Sequence, residues 1–515
     1  MSTSIVHGKY VISKVDGPTT AVVIRNGAVY QESGRIVEVG EYQQLKEKHP
    51  LAETVGSPNH IVMPGLVNSH DHIGISGVQL GIPYPPLELN GLARIGIRSV
   101  DPYLEHLHGA IQMLESGTTT VQIMYTPGRG VAPIDEESTQ KVIKAYQDAG
   151  VRLCYAPNLQ DQNSLVASPR GGEQEFARQL PGELGTRFSA FMGQGYWTVD
   201  ELVSASEDLY KKYHKGNNGR TVINTAPTNV HRCSDGLLKG LKELTEKYRT
   251  TSHIHLLETV YQKLFALRIY GTTAVKHLEE IGFLGPDVTC GHSVWLTEED
   301  VDVLCRTGTN VCHNASSNLR VQSGIAPIPH LVDKGIRVAI GTDNMSMNDD
   351  KDMFQEMRLV LYIHRLPGVE FDPITSHQVF QMATINGALS TGFGDSIGTI
   401  EEGKRADMVL VDANRVEEPY LDPDVSIVTA LVQRVRGVDV DTVIVDGEIV
   451  LKDGQVTRVD KVALFREMKS SLDRPLTHEE AERRKLGQDV YPYLKAFYSG
   501  STGEMPPPFS QYNAR

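Results

Sequence analysis

Two histidines one residue apart, His70 and His72, close a short apolar stretch in the segment MPGLVNSHDH. The stretch from Ile61 to Val67 predicts a β-strand, and in extended chain residues two apart project to the same side. Both imidazoles can therefore converge on one point beyond the strand. Because histidine binds zinc and similar ions through a neutral ring nitrogen, the pair indicates a metal site. Taken alone, the same spacing would also suit two polar loop residues.

Three later segments place metal-binding or proton-carrying residues where apolar stretches end. SHIHLLE contains His253, His255 and Glu258, TCGH ends at His292, and VAIGTD ends at Asp343. Each residue also has a purely structural interpretation. Glu258 could be an acid favoured at a helix start, His292 a core histidine, and Asp343 an N-cap. The functional interpretation is favoured because all of them fall at successive predicted strand ends.

Together with the first pair, these residues give three histidines and one carboxylate: His70, His72, His255 and Asp343. Such a set suits one Zn²⁺ or Fe²⁺ and leaves a position for water. The pattern of SHIHLLE alone leaves the choice between His253 and His255 open, and we expect one of the two to point away from the site.

Apolar strands that alternate with helical patterns predict an α/β domain over residues 61–396, in which a parallel sheet is wrapped by helices. Eight candidate strands favour a (β/α)8 TIM barrel, with the chemistry at the carboxyl ends of the strands. The candidates are 61–67, 118–124, 151–156, 221–226, 252–257, 288–291, 310–312 and 337–341.

The two ends of the chain have a different, β-rich pattern. Residues 1–60 and 397–460 are expected to form a small β-sandwich domain, with hairpin turns at Asn26-Gly27, Asp446-Gly447 and Asp453-Gly454. Residues 461–515 are expected to be a helical extension, in which a helix opens at Thr477 with capping-box spacing, followed by a Pro-rich tail.

Composition narrows the class of protein. The chain has 515 residues, a net charge of -14 and five cysteines without a CxxC pair. The negative charge argues against nucleic acid or an anionic membrane as partner. Unpaired cysteines and the lack of a signal-like or membrane-spanning run indicate a soluble cytoplasmic protein.

The ordered segments resemble the amidohydrolase superfamily, and in particular the branch of cytosine, guanine and S-adenosylhomocysteine deaminases and s-triazine hydrolases. The resemblance covers about residues 20–455. It is carried by MPGLVNSHDH, SGTTTV, HIHLLET, GHSVWLTEED, HNASSNLRVQSGIAP, GTDN, MATINGA and IGTIEEGKRADMVLVD.

The resemblance implies a role for each candidate. His70, His72, His255 rather than His253, and Asp343 would bind the metal, and Asp343 would also serve as general base. The resemblance further implies that Glu258 carries a proton to the ring or the leaving amine. His292 would polarise the attacked centre or act as a further ligand. Because the fourth predicted strand, TVINTAP, has no lysine to bridge two metals, one metal is implied.

The expected substrate is a small neutral nitrogen heterocycle of the pyrimidine, purine or s-triazine type. In APTNVHRCS, Thr228 stands where nucleoside-deaminating relatives often have a histidine, which favours the triazine hydrolases. Tyr84, Gln122 and Asn344 are candidate pocket residues by position. An amide, urea or carbamate hydrolase, or a dechlorinase, is the alternative, and a non-catalytic relative is a third possibility. The resemblance also implies a homodimer or larger homo-oligomer.

Overall fold

The computed structural model describes residues 3–82, 84–128, 131–193, 196–366, 368–369 and 372–502. Most of the predicted Pro-rich tail, from residue 503 onward, lies outside these residues. The chain begins with four strands of one sheet: β1 (Thr3–Val15), β2 (Ala21–Glu32), β3 (Arg35–Glu41) and β4 (Glu53–Pro64). β1 pairs with β2 antiparallel and with β4 parallel.

The hairpin predicted at Asn26-Gly27 is wrong. Both residues lie inside β2, and β2 stays paired with β1 before Asn26 and after it. Asn26 itself has a φ of 46°. The Asn26 side chain shares a 3.0 Å hydrogen bond with His7. A residue that tolerates positive φ is therefore accommodated within this strand and does not reverse the chain.

The barrel strands follow. They are β5 (Leu66–Asp71), β6 (Thr118–Tyr125), β7 (Arg152–Leu159), β8 (Thr221–Ile223), the short β9 (Ala226–Pro227), β10 (Ser252–Leu256), β11 (Val288–His292), β12 (Asn310–His313) and β13 (Val338–Ile340). The first predicted strand, 61–67, is divided between two sheets. Its first half ends β4, and Gly65 separates it from β5.

Parallel pairing orders these strands as β5-β6-β7-β8 and β10-β11-β12-β13. Isolated parallel bridges close both gaps, from Thr225 to Ser252 and from Asp71 to Asp343. Over the described ranges, eight strands thus form a closed ring, as a TIM barrel requires. The carboxyl ends of all eight strands lie at the same end of the ring.

The remaining strands return to the first sheet: β14 (Met408–Asp412), β15 (Val440–Val445), β16 (Glu448–Lys452) and β17 (Gln455–Val456). The sheet order is β17-β16-β15-β14-β4-β1-β2-β3, which we call the terminal sheet. The turns predicted at Asp446-Gly447 and Asp453-Gly454 are present. Both chain ends contribute to this sheet, but the described residues form one sheet of eight strands, so the expected sandwich is not confirmed.

Helices cover the barrel and its carboxyl end. They are α1 (Tyr42–Lys48), α2 (Leu87–Arg94), α3 (Pro102–Glu115), α4 (Glu136–Ala149), α5 (Gly172–Gln179), α6 (Glu183–Met192), α7 (Val199–Tyr213), α8 (Gly216–Gly219), α9 (Asp235–Tyr248), α10 (Val260–Ile269), α11 (Ala274–Glu280), α12 (Glu298–Thr307), α13 (Ala315–Arg320), α14 (Ile328–Asp333), α15 (Met353–Ile363), α16 (Ser376–Met382), α17 (Ile385–Ser390), α18 (Ala413–Glu417), α19 (Ile427–Arg434), α20 (Lys461–Leu472) and α21 (His478–Ser499). A 3-10 turn covers Gly437–Asp439.

The C-terminal helix α21 begins as predicted, because Thr477 and Glu480 form a capping box. It packs against α2 and α6 through a buried apolar cluster that includes Leu92, Phe188 and Leu494. Among the described helices, none combines the length and the hydropathy needed to cross a bilayer.

Candidate metal centre

Five side chains from four barrel strands meet at the carboxyl end of the ring. His70 lies in β5, His72 directly follows it, His255 lies in β10, His292 ends β11 and Asp343 follows β13. Their ligand atoms form two overlapping groups: His70 with His255 and His292, and His70 with His72 and Asp343. Within each group all ligand atoms lie within 4.8 Å of one another. The structure therefore brings together every metal-binding residue predicted from the sequence.

Backbone carbonyls fix the rings of His72 and His255. His72 Nδ1 lies 2.7 Å from the carbonyl oxygen of Met124, and His255 Nδ1 lies 2.7 Å from that of Thr228. Since a carbonyl only accepts, each Nδ1 donates, which leaves Nε2 of the neutral ring as a lone pair. These two Nε2 atoms lie 3.1 Å apart. Two lone pairs at that distance cannot form a hydrogen bond with each other, but a cation between them would accept both.

His70 supplies the clearest unsatisfied atom. The residue is completely buried, and its Nε2 has no hydrogen-bond partner among the described residues. Its Nδ1 shares a 2.8 Å hydrogen bond with Nε2 of His253, whose Nδ1 lies 2.6 Å from the amide nitrogen of Gln122. A buried polar atom without a partner is costly, and when Nδ1 donates to His253 the Nε2 of His70 is a lone pair that fits a metal ligand position.

The expectation that one of His253 and His255 points away from the site is wrong. Residues two apart in β10 face the same side, so both rings point into the barrel, and His253 lies behind His70. Burial lowers the pKa of His253 to about 3. Gln122 was expected to line the pocket, but it is fully buried and its amide contacts His253, Cys154 and Asn224.

Asp343 faces the two histidines of the first strand. Its Oδ1 lies 3.7 Å from His70 Nε2 and 3.5 Å from His72 Nε2. The Ser317 hydroxyl donates a 2.6 Å hydrogen bond to Oδ2, and the Asn344 amide donates one of 3.1 Å to Oδ1. The N-cap interpretation of Asp343 is wrong, because the next helix, α15, is capped by Asp352.

Glu258 and His292 form the other side of the centre. His292 Nδ1 donates to the Asn318 amide oxygen at 2.7 Å, so its Nε2 is also a lone pair. That nitrogen lies 3.7 Å from Glu258 Oε2 and 4.0 Å from Asp343 Oδ2. Burial, and then the nearby charge of Asp343, raises the pKa of Glu258 well above its usual range. Glu258 is therefore suited to hold a proton near neutral pH.

The histidines are held in their neutral form. Burial, followed by repulsion from the neighbouring imidazoles, lowers the pKa of His70 and of His255 well below the usual range. Burial also lowers the pKa of His72 and of His292, although Asp343 opposes it. Neutral imidazoles around a carboxylate are the donor set that zinc and iron accept.

Tyr84 lies at the rim of the ring. Its hydroxyl donates to Asp349 at 3.1 Å, and the Arg320 guanidinium lies 3.9 Å from its ring centroid. Burial raises the pKa of Tyr84 to about 12. The contacts tie together the segments that follow β5, β12 and β13, which gives Tyr84 a structural role at the mouth.

Sequence reasoning missed Ser317 and Asn318, which orient Asp343 and His292. Both lie in HNASSNLR, a segment noted only for its resemblance to the family. A hydroxyl and an amide directly after the seventh barrel strand were the available signal. Their partners could not be chosen, because contacts 26 residues apart depend on how neighbouring strands align.

Residues 61–450 match the amidohydrolase family. The chain belongs to that family. A 5′-deoxyadenosine deaminase of Methanosarcina mazei is 31% identical over 87% of this chain and 94% of the relative. A 5-methylthioadenosine/S-adenosylhomocysteine deaminase of Thermodesulfovibrio yellowstonii is 29% identical over 86% and 92%.

Solved structures of the same fold include an adenosine deaminase from Xanthomonas campestris with bound zinc, with a TM-score of 0.76, 23% identity and coverage of 92% of this chain and 98% of that one. A zinc complex of atrazine chlorohydrolase from Arthrobacter aurescens has a TM-score of 0.76, 21% identity and coverage of 91% and 99%. The predicted resemblance is confirmed. This amidohydrolase is a hydrolase that acts on carbon–nitrogen bonds other than peptide bonds.

Proposed function

We propose that this amidohydrolase removes the amino group of the adenine ring in a nucleoside altered at its 5′ carbon. The observation that carries the chemistry is the meeting of Glu258 and Asp343 around His292, within one buried cluster of neutral histidines. The substrate class rests on the sequence relatives, because the 5′-deoxyadenosine deaminase is 31% identical over 87% of this chain. The solved structures of the adenosine deaminase and of the atrazine chlorohydrolase have equal TM-scores to this chain, so the fold does not favour either substrate.

His70, His72, His255 and Asp343 would hold one zinc ion, with Fe²⁺ as the alternative. A divalent metal in such a site lowers the pKa of water toward neutrality and so supplies hydroxide as nucleophile. His292 Nε2 lies close enough to His70 and His255 to be a further ligand. The four proposed ligands come from β5, β10 and the end of β13, so the site requires the closed ring.

Asp343 would take the proton released when water becomes hydroxide. Its Oδ2 accepts from the Ser317 hydroxyl, and its Oδ1 faces His70 and His72. The Ser317 hydrogen bond fixes the plane of the carboxylate, which leaves one oxygen directed at the histidines. A base held in this way needs no rearrangement before it accepts the proton.

Glu258 would carry protons on the substrate side. Its carboxyl group, whose pKa burial raises well above the usual range, would protonate the ring nitrogen next to the attacked carbon. Addition of hydroxide gives a tetrahedral carbon. The proton taken up by Asp343 would then pass to the amine, which leaves as ammonia, while the new hydroxyl group returns a proton to Glu258 and becomes a carbonyl group. Water and the amino-substituted ring are consumed, and the ring carbonyl compound and ammonia are formed.

Attack on a heterocycle without a sugar is a second candidate, and Thr228 favours it. The resemblance implies that this residue stands where nucleoside-deaminating relatives often have a histidine, and its hydroxyl donates to the carbonyl oxygen of Leu159 at 2.9 Å. The segments that follow β12 and β13 at the carboxyl end of the barrel also have exposed apolar side chains, including Leu319, Ile325 and Met347. An apolar rim suits substituted triazines as well as nucleosides whose 5′ group is apolar.

A substrate panel assayed for ammonia separates the candidates. The zinc-loaded protein would be given 5′-deoxyadenosine, 5-methylthioadenosine, adenosine, adenine, guanine, cytosine, an amino-substituted triazine and a urea. We expect ammonia release with the highest kcat/KM for the two 5′-altered nucleosides. Release from the triazine alone would support the second candidate. Turnover of the urea alone would contradict both.

A further inference from the structure

The proposed ligands are divided between the two strands at one closure of the barrel. His70 and His72 follow β5 on one side, and Asp343 follows β13 on the other. β12 and β13 pair over three residues, whereas β5 and β13 meet at a single bridge between Asp71 and Asp343. One backbone hydrogen bond, from Asp343 N to His70 O at 2.8 Å, crosses there. Few backbone contacts thus fix the distance between the ligands on the two sides.

Asp71, the residue between the two histidines, crosses this closure with its side chain. Its Oδ2 accepts from Asn68 Nδ2 at 2.9 Å and from the Thr342 hydroxyl at 3.0 Å. Its Oδ1 accepts from the backbone nitrogens of His72 at 2.7 Å and Ile73 at 3.2 Å. Because its acceptor sites are filled, Asp71 is a structural hub and has no free oxygen for a metal.

Lys351 completes the connection from the other side. Its ammonium group donates to Asp71 Oδ1 at 2.6 Å, to the carbonyl oxygen of Asn344 at 2.7 Å and to that of Asp343 at 3.0 Å. Both side chains of the ion pair are completely buried. An ammonium group has three hydrogens, and all three are used, so nothing is left for another ligand.

The segment that Lys351 holds is strained at the ligand itself. Asp343 has a φ of 51°, which lies in the left-handed region of the backbone that residues other than glycine seldom adopt. Such a conformation persists only when neighbouring contacts impose it. The two carbonyl groups bound by Lys351 are those of Asp343 and of the next residue, which are the atoms that set this turn.

We propose that Lys351 and Asp71 are positioning residues for the metal ligands. The pair clamps the end of β5 to the segment after β13, so that the Asp343 carboxylate faces His70 and His72 before any ion arrives. The inference rests on the metal site in the proposed function but not on the identity of the substrate. It predicts that losing the pair weakens metal binding even when the barrel stays folded.

The test compares zinc affinity and stability in Lys351→Met, Asp71→Asn and the double variant. Zinc dissociation constants would be measured by competition with a chelator, and thermal unfolding would be followed on zinc-free protein. Each single variant should bind zinc about 10- to 100-fold more weakly. In the double variant, stability should recover in part, because no unpaired charge is left buried, while zinc affinity stays low.

Asp446→Asn is the matched control, because it removes a partner of another buried ion pair, Arg152–Asp446, at the opposite end of the barrel. It should lower stability and leave zinc affinity unchanged. Unchanged zinc affinity in the double variant, or recovery of affinity together with stability, would overturn the inference. If a single variant does not fold, zinc affinity is compared between the wild type, the double variant and Lys351→Arg. If the wild-type protein binds no zinc, the proposed function itself is contradicted. If the wild type binds zinc and the variants bind it equally well, only the positioning role of Lys351 and Asp71 is contradicted.

Discussion

Both ends of the barrel bury charged or ionisable groups, but they satisfy them differently. At the amino end, Arg152 begins β7 and pairs with Asp407 through Nε at 3.0 Å and Nη2 at 2.9 Å. The same Nη2 also donates to Asp446 at 2.8 Å. At the carboxyl end, His70 Nε2 has no partner in the described chain, and the facing nitrogens of His72 and His255 are both lone pairs.

The difference separates a structural cluster from a ligand-binding one. Of the aspartates paired with Arg152, Asp407 directly precedes β14 and Asp446 lies in the Asp446-Gly447 turn, so this cluster connects the terminal sheet to the barrel. Its donors and acceptors match within the protein. The cluster at the carboxyl end is complete only when something positive lies among its nitrogens. The following variants test that distinction.

The largest effect is expected from His255→Ala. This substitution removes the His255 imidazole, which is one of the two facing rings and a proposed metal ligand. Metal retention and turnover should therefore be lost together. We expect kcat/KM to fall by more than about a thousandfold, the scale of removing a central catalytic group. His478→Ala, at the exposed start of α21, is the control and should leave both unchanged. Turnover retained without metal would contradict the assignment.

Glu258→Gln should separate proton transfer from metal binding. The amide keeps the size of the side chain but cannot carry a proton, so zinc should remain bound while kcat falls about 10²- to 10⁴-fold. Metal content and kcat measured on the same preparation check this. Glu479→Gln, on an exposed face of α21, should behave as the wild type. Full activity of Glu258→Gln would remove the proton-carrying role.

Arg152→Met should harm stability without harming chemistry. It leaves Asp407 and Asp446 buried with fewer partners, which should cost about 3–5 kcal/mol in the free energy of unfolding. At a temperature well below unfolding, zinc affinity and kcat should be unchanged. Arg178→Met removes a pair on the surface of α5 and should cost less than about 1 kcal/mol. A loss of zinc affinity in Arg152→Met would break the proposed separation between the two ends.

Glu356 gives the smallest and most pH-dependent effect. Its Oε1 accepts from Ser316 N at 3.0 Å, its Oε2 has no partner in the described chain, and burial raises its pKa from 4.5 to about 7. Because the folded pKa is the higher one, the stability it confers is present below pH 4.5 and lost as pH rises through 7. Glu356→Gln should therefore become more stable than the wild type at high pH.

Chemical denaturation of zinc-free Glu356→Gln and wild type, from pH 4 to pH 8.5, measures this. The advantage of the variant should be near zero at pH 4 and should grow to as much as about 3 kcal/mol at pH 8.5. An advantage that does not change with pH would show that Glu356 is not held protonated by its surroundings.

The residues that meet at the site were predicted more accurately from the sequence than the organisation of the sheets was. Histidines and acids at the ends of apolar stretches identify a cluster because barrel strands place their carboxyl ends together. The sequence could not show that His253 lies behind His70, since both histidines of β10 face inward at different depths. The role of Lys351 could not be predicted from the sequence for a related reason. Its partner Asp71 is 280 residues away and is reached only after the ring closes.

Local turn signals were right where the surrounding strands allowed a reversal. Asp446-Gly447 joins β15 to β16, and both residues have positive φ. Asn26-Gly27 has the same chemistry, yet β2 continues through it because its pairing with β1 extends on both sides. Residues that permit a turn do not require one. The long-range pairing that decides the outcome is not encoded in the dipeptide.

Four side chains from three barrel strands are proposed to bind a single ion. Metal analysis of the purified wild-type protein, expressed with zinc and freed of loosely bound ions, tests it most directly. The account predicts one divalent metal per chain, and zinc in particular. A protein that is folded and active with no metal, or that binds two ions per chain, would contradict it.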